Sequence, residues 1–141
     1  MAMTRAFEEQ EVQPELRRIY GEVRAGLDLP FVPTLFKVLA GSPDYLKLMW
    51  GDLGRVARSR EFHATVRALE EFVRSLAVKS GWRFSDPRKV LVAQKFSGDD
   101  MEVIAELPPV FVRSSCQMSL FTRLLQRGYA GGQRGRVSDA R

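Results

Sequence analysis

The sequence predicts an all-α fold, a compact helical domain of about seven helices. Apolar residues recur at intervals of three and four along most of the chain, which is the period of one helix face. Prolines, glycines and serines separate these stretches at positions where helices usually begin and end. No alternation of apolar and polar residues, typical of a half-buried strand, competes with this pattern.

The first two predicted helices lie on either side of a proline-containing connection. The first covers about residues 9–27, with Pro14 in its first turn, where no amide donor is required. Pro30 and Pro33 hold the following backbone extended, and a short helix is predicted at residues 34–40. The apolar stripe of the first helix consists of Val12, Leu16, Ile19, Val23 and Leu27.

The next two helices are longer. Ser42 and Pro43 are predicted to be the N-cap and the first position of a helix that continues to about Val56. A fourth helix is predicted from about Glu61 to Lys79. Its stripe consists of Phe62, Val66, Leu69, Phe72, Val73 and Leu76.

Three more helices complete the prediction. One begins after a cap-and-proline start at residues 85–87 and continues to Phe96, and another covers residues 101–107. The pair Pro108-Pro109 is predicted to interrupt the chain before a final helix over residues 110–126.

Length and charge indicate one domain with a separate tail. A chain of 141 residues is long enough for one genuine core, here assigned to residues 1–128. The net charge is +5, of which +3 comes from Arg127 onward, where four arginines face one aspartate. We expect residues 129–141 to be a disordered Gly/Arg-rich tail. Because the body lacks a basic cluster interleaved with aromatics, nucleic-acid binding is not expected.

Composition also bounds the compartment. No apolar run reaches the roughly 18 residues of a membrane span, and the first residues are acidic where a secretory signal would be apolar. The single cysteine, Cys116, cannot form an internal disulfide framework. A cytoplasmic protein without a membrane partner is therefore predicted.

Two segments resemble the DehI family, the group I 2-haloacid dehalogenases, which are related to the alkylhydroperoxidase D-like (AhpD-like) helical proteins. The first is Asp28-Leu-Pro-Phe-Val-Pro-Thr-Leu-Phe-Lys-Val-Leu-Ala followed by Ser42-Pro-Asp-Tyr-Leu. The second is Met101-Glu-Val-Ile-Ala-Glu-Leu-Pro-Pro-Val-Phe-Val, and together the resemblance covers roughly residues 10–128. It implies one helical repeat where the dehalogenases have two in one chain, and hence a homodimer or higher symmetric oligomer.

The residues that the family uses for hydrolysis do not carry over. The resemblance places the family's water-activating aspartate at Leu35, and the chain contains no asparagine to match the family's second catalytic residue. A thiol peroxidase is not expected either, because Cys116 stands alone. No cofactor is predicted, and no metal site, because His63 is the only histidine.

Three residues remain as weak catalytic candidates, Asp28, Asp44 and His63. A ligand pocket is predicted around the proline-containing motif, lined by Phe31, Thr34, Leu35, Lys37, Tyr45 and Trp50. For Trp50 and Tyr45 the alternative is packing in the core. The carboxylates Asp99, Asp100 and Glu102 are better explained as complements of a helix dipole, and Cys116 as a small buried residue at a helix contact.

Two functions stay open at this stage. One is an oligomeric scaffold or a binding protein for a small apolar or carboxylate ligand. The other is a hydrolase for 2-haloacids or related small organic acids, with its acid moved to Asp28 or Asp44. A third alternative, nucleic-acid binding through the arginine-containing tail, has less support.

Overall fold

A computed structural model describes residues 5–81, 83 and 86–132. These residues form six α-helices and no strand, which confirms the predicted all-α class. The helices are α1 (Pro14–Leu27), α2 (Thr34–Leu39), α3 (Pro43–Ala57), α4 (Arg60–Lys79), α5 (Pro87–Ala93) and α6 (Gly98–Gly132).

The core forms where the apolar faces of α1 and α3 pack together. Tyr20, Val23 and Leu27 of α1 are fully buried, as is Leu46 of α3. Burying apolar side chains of this size contributes roughly 1.5–3 kcal/mol each. All five residues of the stripe predicted for the first helix are buried, and Tyr20 is buried in addition to them.

Trp50 stands at the centre of the contact between α1 and α3. Its ring meets the ring of Phe36 edge to face, with centroids 5.6 Å apart, and its Nε1 donates to Glu22 Oε2 at 2.9 Å. Gly54 makes room for the indole, because a Cβ at that position would lie 3.1 Å from Trp50 Cε2. Trp50 is therefore packed in the core.

The segment before α1 is held onto α1 and α2. The Phe7 amide donates to the Lys37 carbonyl at 3.0 Å, and the Tyr20 hydroxyl donates to the Phe7 carbonyl at 2.9 Å. Arg24 forms two hydrogen bonds with the Glu9 carboxylate, at 2.6 and 3.2 Å. This bidentate contact lowers the pKa of Glu9.

The second half of α6 closes the core. Phe121 is fully buried and stacks on Phe62 of α4, with ring centroids 4.9 Å apart. Gln117, also fully buried, donates through Nε2 to the Leu27 carbonyl at 2.7 Å, while its Oε1 has no hydrogen-bond partner among the described residues. Gln117 thereby ties α6 to the end of α1.

The prediction of a break at Pro108-Pro109 is wrong. Both prolines lie inside α6, so the two predicted helices at 101–107 and 110–126 are one, and six helices replace the expected seven. A proline has a fixed φ that suits a helix, and its cost is a missing amide donor for the carbonyl four residues earlier. Here those carbonyls belong to Ile104 and Ala105, in a mostly exposed stretch where water can satisfy them.

Helix α6 also continues past the predicted domain boundary. It includes residues 129–132, the first part of the segment predicted to be a tail. Residues 133–141 lie outside the described residues.

The core covers only part of the chain. Every residue described as buried lies at or before Val66 or at or after Ser114. Within the intervening stretch we call residues 71–112 the arm, and its described residues include the end of α4, α5 and the start of α6. The described part of the arm contains no buried residue.

None of the described helices combines the length and the apolar character that crossing a membrane requires.

Candidate functional site

Two of the three catalytic candidates, Asp28 and His63, line the same small cavity. The cavity has a volume of about 140 Å³ and lies where α1 ends against α4 and α6. Its lining consists of Leu27, Asp28, His63, Val66, Arg67 and Arg113. We call it the Asp28 cavity.

Local backbone geometry carries Asp28 to this position. Helix α1 ends at Asp28 in the left-handed conformation, with φ 53° and ψ 52°, a region in which aspartate is several-fold enriched over most residues. Its carboxylate accepts a hydrogen bond from Arg113 Nη1 at 3.1 Å. Arg113 Nε reaches Glu70 Oε1 at 3.4 Å, so this one arginine of α6 connects α1 and α4.

The Asp28 cavity combines two cations with one acid and one imidazole. Arg67 is exposed and forms no ion pair with another described residue, whereas the charge of Arg113 is shared by two carboxylates. The half-buried His63 ring lies edge-on to Phe62, with centroids 5.8 Å apart. The cavity is the size of a small organic acid. Arg67 supplies a positive charge that is not paired with a described carboxylate and that complements the negative charge of such an acid.

Sequence reasoning missed Arg67 and Arg113. The contact between Arg113 and Asp28 joins residues 85 positions apart, and no local spacing indicates it. The one available signal is that Arg113 lies between an apolar stretch and the small residues Ser114, Ser115 and Cys116. That signal does not distinguish a site residue from a solvated one.

The third candidate, Asp44, lies elsewhere. Its side chain is fully exposed in the first turn of α3, with Lys47 Nζ 4.0 Å away. A carboxylate there complements the helix dipole. It does not line the Asp28 cavity.

The six residues of the predicted ligand pocket are placed in different surroundings. Trp50 is buried in the core, and Lys37 forms an ion pair with Glu8 at 2.6 Å. Phe31 stacks on Phe111 of the arm, with centroids 5.5 Å apart. Tyr45 lines a groove of about 480 Å³ between α3 and α6.

Thr34 and Leu35 are the remaining two. Thr34 is exposed at the first position of α2, and Leu35 is half-buried one residue later. The position that the family resemblance assigns to the water-activating acid therefore carries an apolar side chain on a short helix. It does not line the Asp28 cavity.

Cys116 is buried, as the sequence predicts. Only 5% of it is exposed, and burial, with the charge of Glu70 as a second cause, raises the pKa of its thiol. A thiol that stays protonated is a poor nucleophile. This environment favours a structural role.

Among the acidic residues at the start of α6, Asp100 makes hydrogen bonds at the first turn. Its Oδ2 accepts hydrogen bonds from the Ser97 amide at 3.1 Å and the Ser97 hydroxyl at 2.6 Å, which lower the pKa of its carboxyl. Within the described ranges no group of three or more His, Cys, Asp or Glu side chains could hold a metal ion.

The arm carries most of the exposed apolar side chains of the described residues. Outside it, only Leu48 and Leu124 belong to this exposed set. The arm members are Phe72, Val73, Leu76, Val78, Val90, Val92, Phe96, Val103, Leu107, Phe111 and Val112.

The exposed apolar side chains of α4 and α6 continue the buried stripes of the same helices. On α4, Val73 and Leu76 follow buried Phe62 and Val66 at helical spacing, yet they are 41% and 49% exposed. On α6 the stripe at 121, 117, 114, 110, 107 and 103 descends in steps of four and three, and its last two members, Leu107 and Val103, are exposed. The two core-facing stripes therefore extend beyond the core.

A comparison with known protein families shows which family the chain belongs to. A model of the family described as halocarboxylic acid dehydrogenase DehI matches residues 30–141. The chain belongs to the DehI family. The match includes α2 to α6 and confirms the resemblance seen around the proline-containing motif.

Comparison with curated proteins gave no match, and comparison with solved structures gave none.

Proposed function

We propose that this DehI-family chain is a self-associating helical scaffold, in which the arm of one copy packs against the arm of a second copy. The observation that carries the proposal is the exposure of the arm's apolar stripes. The eleven large apolar side chains are between 41% and 76% exposed, and those on α4 and α6 continue the core-facing stripes of these helices. Extensive exposed apolar surface is typical of protein–protein interaction sites.

A second copy suits this surface for two reasons. The stripe on α6 has steps of four and three, the spacing used where helices pack in bundles. In two arms related by a two-fold axis, the α4 and α6 segments would supply four helices for such a bundle. The arm also carries both charges in separate places, with Arg88, Lys89 and Lys95 around α5 and Asp99, Asp100, Glu102 and Glu106 at the start of α6. An antiparallel two-fold contact brings the basic part of each arm to the acidic part of the other.

Substitution of arm residues tests the scaffold. Leu76→Glu and Leu107→Glu each place a carboxylate in the proposed interface, and we expect the dimer dissociation constant to rise by about 100-fold or more. Leu48→Glu is the matched control, because Leu48 is 69% exposed on α3, outside the arm. Light scattering coupled to gel filtration measures the mass of each variant.

A monomeric wild-type protein at micromolar concentration would contradict the scaffold. So would a dimer that Leu76→Glu and Leu107→Glu leave intact. Since both leucines are exposed in the single chain, neither substitution should unfold it, and circular dichroism checks this.

The Asp28 cavity supports a second candidate function, hydrolysis of a small organic acid such as a 2-haloacid. In that reaction Asp28 would take a proton from water, the water oxygen would bond to C2, and the halide would leave with the electrons of the carbon–halogen bond. Arg67 would hold the substrate carboxylate. This candidate is favoured by one observation, that Asp28 and His63 line one cavity.

Halide release from 2-chloropropionate decides between the two functions. If the chain is a hydrolase, Asp28→Asn should lower halide release by at least about 100-fold, while Asp44→Asn should have no effect because Asp44 lies outside the cavity. The scaffold alone predicts no release above the rate without protein. A single buried cysteine is compatible with the cytoplasmic setting that we propose for either function.

A further inference from the structure

A further groove lies away from both the arm and the Asp28 cavity. It has a volume of about 630 Å³ and runs between the start of α4 and the end of α6. Its apolar lining consists of Val56, Phe62, Leu120 and Leu124. Its polar lining consists of Ser59, Glu61, Thr65, Arg123, Gln126 and Arg127, and we call it the Arg123 groove.

The apolar part of the groove is supported by the core. Phe62 is 5% exposed and stacks on fully buried Phe121. Leu124 is 40% exposed and is one of the two large apolar side chains exposed outside the arm. The exposed Leu124 and the half-buried Leu120 therefore offer an apolar ligand most of this surface, which the buried Phe62 supports from beneath.

Two arginines provide charge that nothing in the described chain neutralises. Arg123 and Arg127 lie four residues apart on one face of α6 and line the same groove. Neither takes part in an ion pair with another described residue, and Glu61, which also lines the groove, lies beyond ion-pair distance of both.

The two hydroxyl groups of the groove are already in use. The Ser59 hydroxyl donates to the Val56 carbonyl at 2.8 Å and accepts from the Phe62 amide at 3.2 Å. The Thr65 hydroxyl donates to the Glu61 carbonyl at 2.8 Å. The donors free to meet a ligand are therefore the two guanidinium groups and the Gln126 amide, of which the charged guanidinium groups favour an oxyanion.

We propose that the Arg123 groove binds an amphiphilic carboxylic acid, one with an alkyl or aryl body. The body lies on Phe62, Leu120 and Leu124, and the carboxylate meets Arg123 and Arg127. Binding pockets for such ligands have volumes of about 300–1,000 Å³. A two- or three-carbon acid would leave most of this groove empty, so the ligand differs in class from one that fits the Asp28 cavity.

Charge argues against the chain's own end as the occupant. Residues 133–141 contain three arginines and one aspartate, the same sign as the groove's free cations. A free acid has the complementary sign, and the proposal does not depend on self-association or on hydrolysis.

Calorimetric titration with decanoate, below its micelle-forming concentration, tests the site. We expect saturable binding to the wild-type protein, weakened by about 10- to 100-fold in the double variant Arg123→Ala/Arg127→Ala. Decanol is the matched uncharged ligand, and its affinity should be the same for both proteins. Arg18→Ala is the matched protein control, because Arg18 is an exposed arginine of α1, 3.7 Å from Glu22.

A second variant separates this groove from the arm. Decanoate affinity should be unchanged in Leu76→Glu, since Leu76 does not line the groove. The proposal is overturned if the wild-type protein shows no saturable binding of decanoate, or if the double arginine variant binds it as tightly as the wild type. If that variant instead changes the oligomeric state and leaves decanoate affinity unchanged, the groove is a protein contact and the proposal fails.

Discussion

Tyr20 shows what one side chain gains from burial in this fold. Its ring is fully buried in α1, and its hydroxyl donates to the Phe7 carbonyl at 2.9 Å. Burial, together with the carboxylates of the preceding segment, Glu8 first among them, raises the pKa of Tyr20 to about 12. The folded state therefore keeps the phenol neutral at a pH where a solvated tyrosine ionises.

This difference makes stability depend on pH in a defined window. An unfolded tyrosine loses its proton near pH 10, whereas Tyr20 in the folded chain does so near 12. Below about pH 10 both states hold the proton, and between about pH 10 and pH 12 only the unfolded state releases it, so the free energy of unfolding should fall across this window. Urea unfolding at several pH values measures it.

The control is Tyr20→Phe. This variant loses one hydrogen bond, worth about 1 kcal/mol, at every pH, but it has no phenol to titrate. Its unfolding free energy should fall less than that of the wild type over the same window. Equal falls would show that other groups cause the dependence.

The candidate residues show where sequence information stops. The sequence indicates Asp28 and His63 separately. Asp28 is the first residue of the proline-containing motif, and His63 is the only histidine. Their shared cavity depends on Arg113, which contacts Asp28 across 85 positions. Trp50 shows the same limit, since its aromatic character suits a pocket as well as a core, and only its neighbours Phe36 and Gly54 decide for the core.

Among the elements, α6 departs most from its sequence pattern. The sequence shows where prolines lie. Whether they end a helix depends on whether the unpaired carbonyls find other hydrogen-bond donors, such as water. Here the core holds α6 only from Ser114 onward, and the helix continues toward the N-terminus through an exposed stretch. The prolines then cost stability without ending the helix.

Removing the prolines should therefore strengthen α6. Proline is about 3 kcal/mol less favourable than alanine inside a helix, so Pro108→Ala/Pro109→Ala should raise the helical signal and the melting temperature. Circular dichroism measures both.

Pro87→Ala is the matched control. Pro87 is the first residue of α5, where a proline costs little because no amide donor is needed there. If the melting temperature of Pro108→Ala/Pro109→Ala is unchanged or lower, the two prolines do not weaken the hydrogen bonding of α6.

The other elements follow the sequence closely, because local signals suffice for them. Helix α3 begins at Pro43 and α4 ends at Lys79, as predicted. The Ser42 side chain makes no capping hydrogen bond, while Ser59, which sequence analysis did not single out, accepts one from the Phe62 amide. A helix start can therefore be located from its proline even when the capping contact differs.

At the scale of the whole molecule, the chain divides into a body with a core and an arm without one. The buried set ends at Val66 on α4 and resumes at Ser114 on α6. The described arm is left with eleven large apolar side chains exposed. A surface of this kind is expected to be covered in the working state of the protein.

Stability should consequently depend on protein concentration. If two copies cover each other's arms, dilution favours the separated and less stable chains, so the melting temperature should fall with each tenfold dilution. In Leu76→Glu it should be lower and independent of concentration. Differential scanning fluorimetry over a hundredfold range of concentration makes the comparison, and a constant wild-type melting temperature would contradict self-association.

The sequence by itself determined the helical class, the starts of most helices and the membership of the DehI family, because each depends on local periodicity, turn residues or a linear motif. Tertiary structure alone decided that Asp28 and His63 share a cavity, that Trp50 belongs to the core, and that α6 passes through its prolines. The physical reason is that burial depends on contacts between residues far apart in the chain. The stripe from Phe62 to Leu76 shows this: it has one period along its whole length, yet its first half is buried and its second half is exposed.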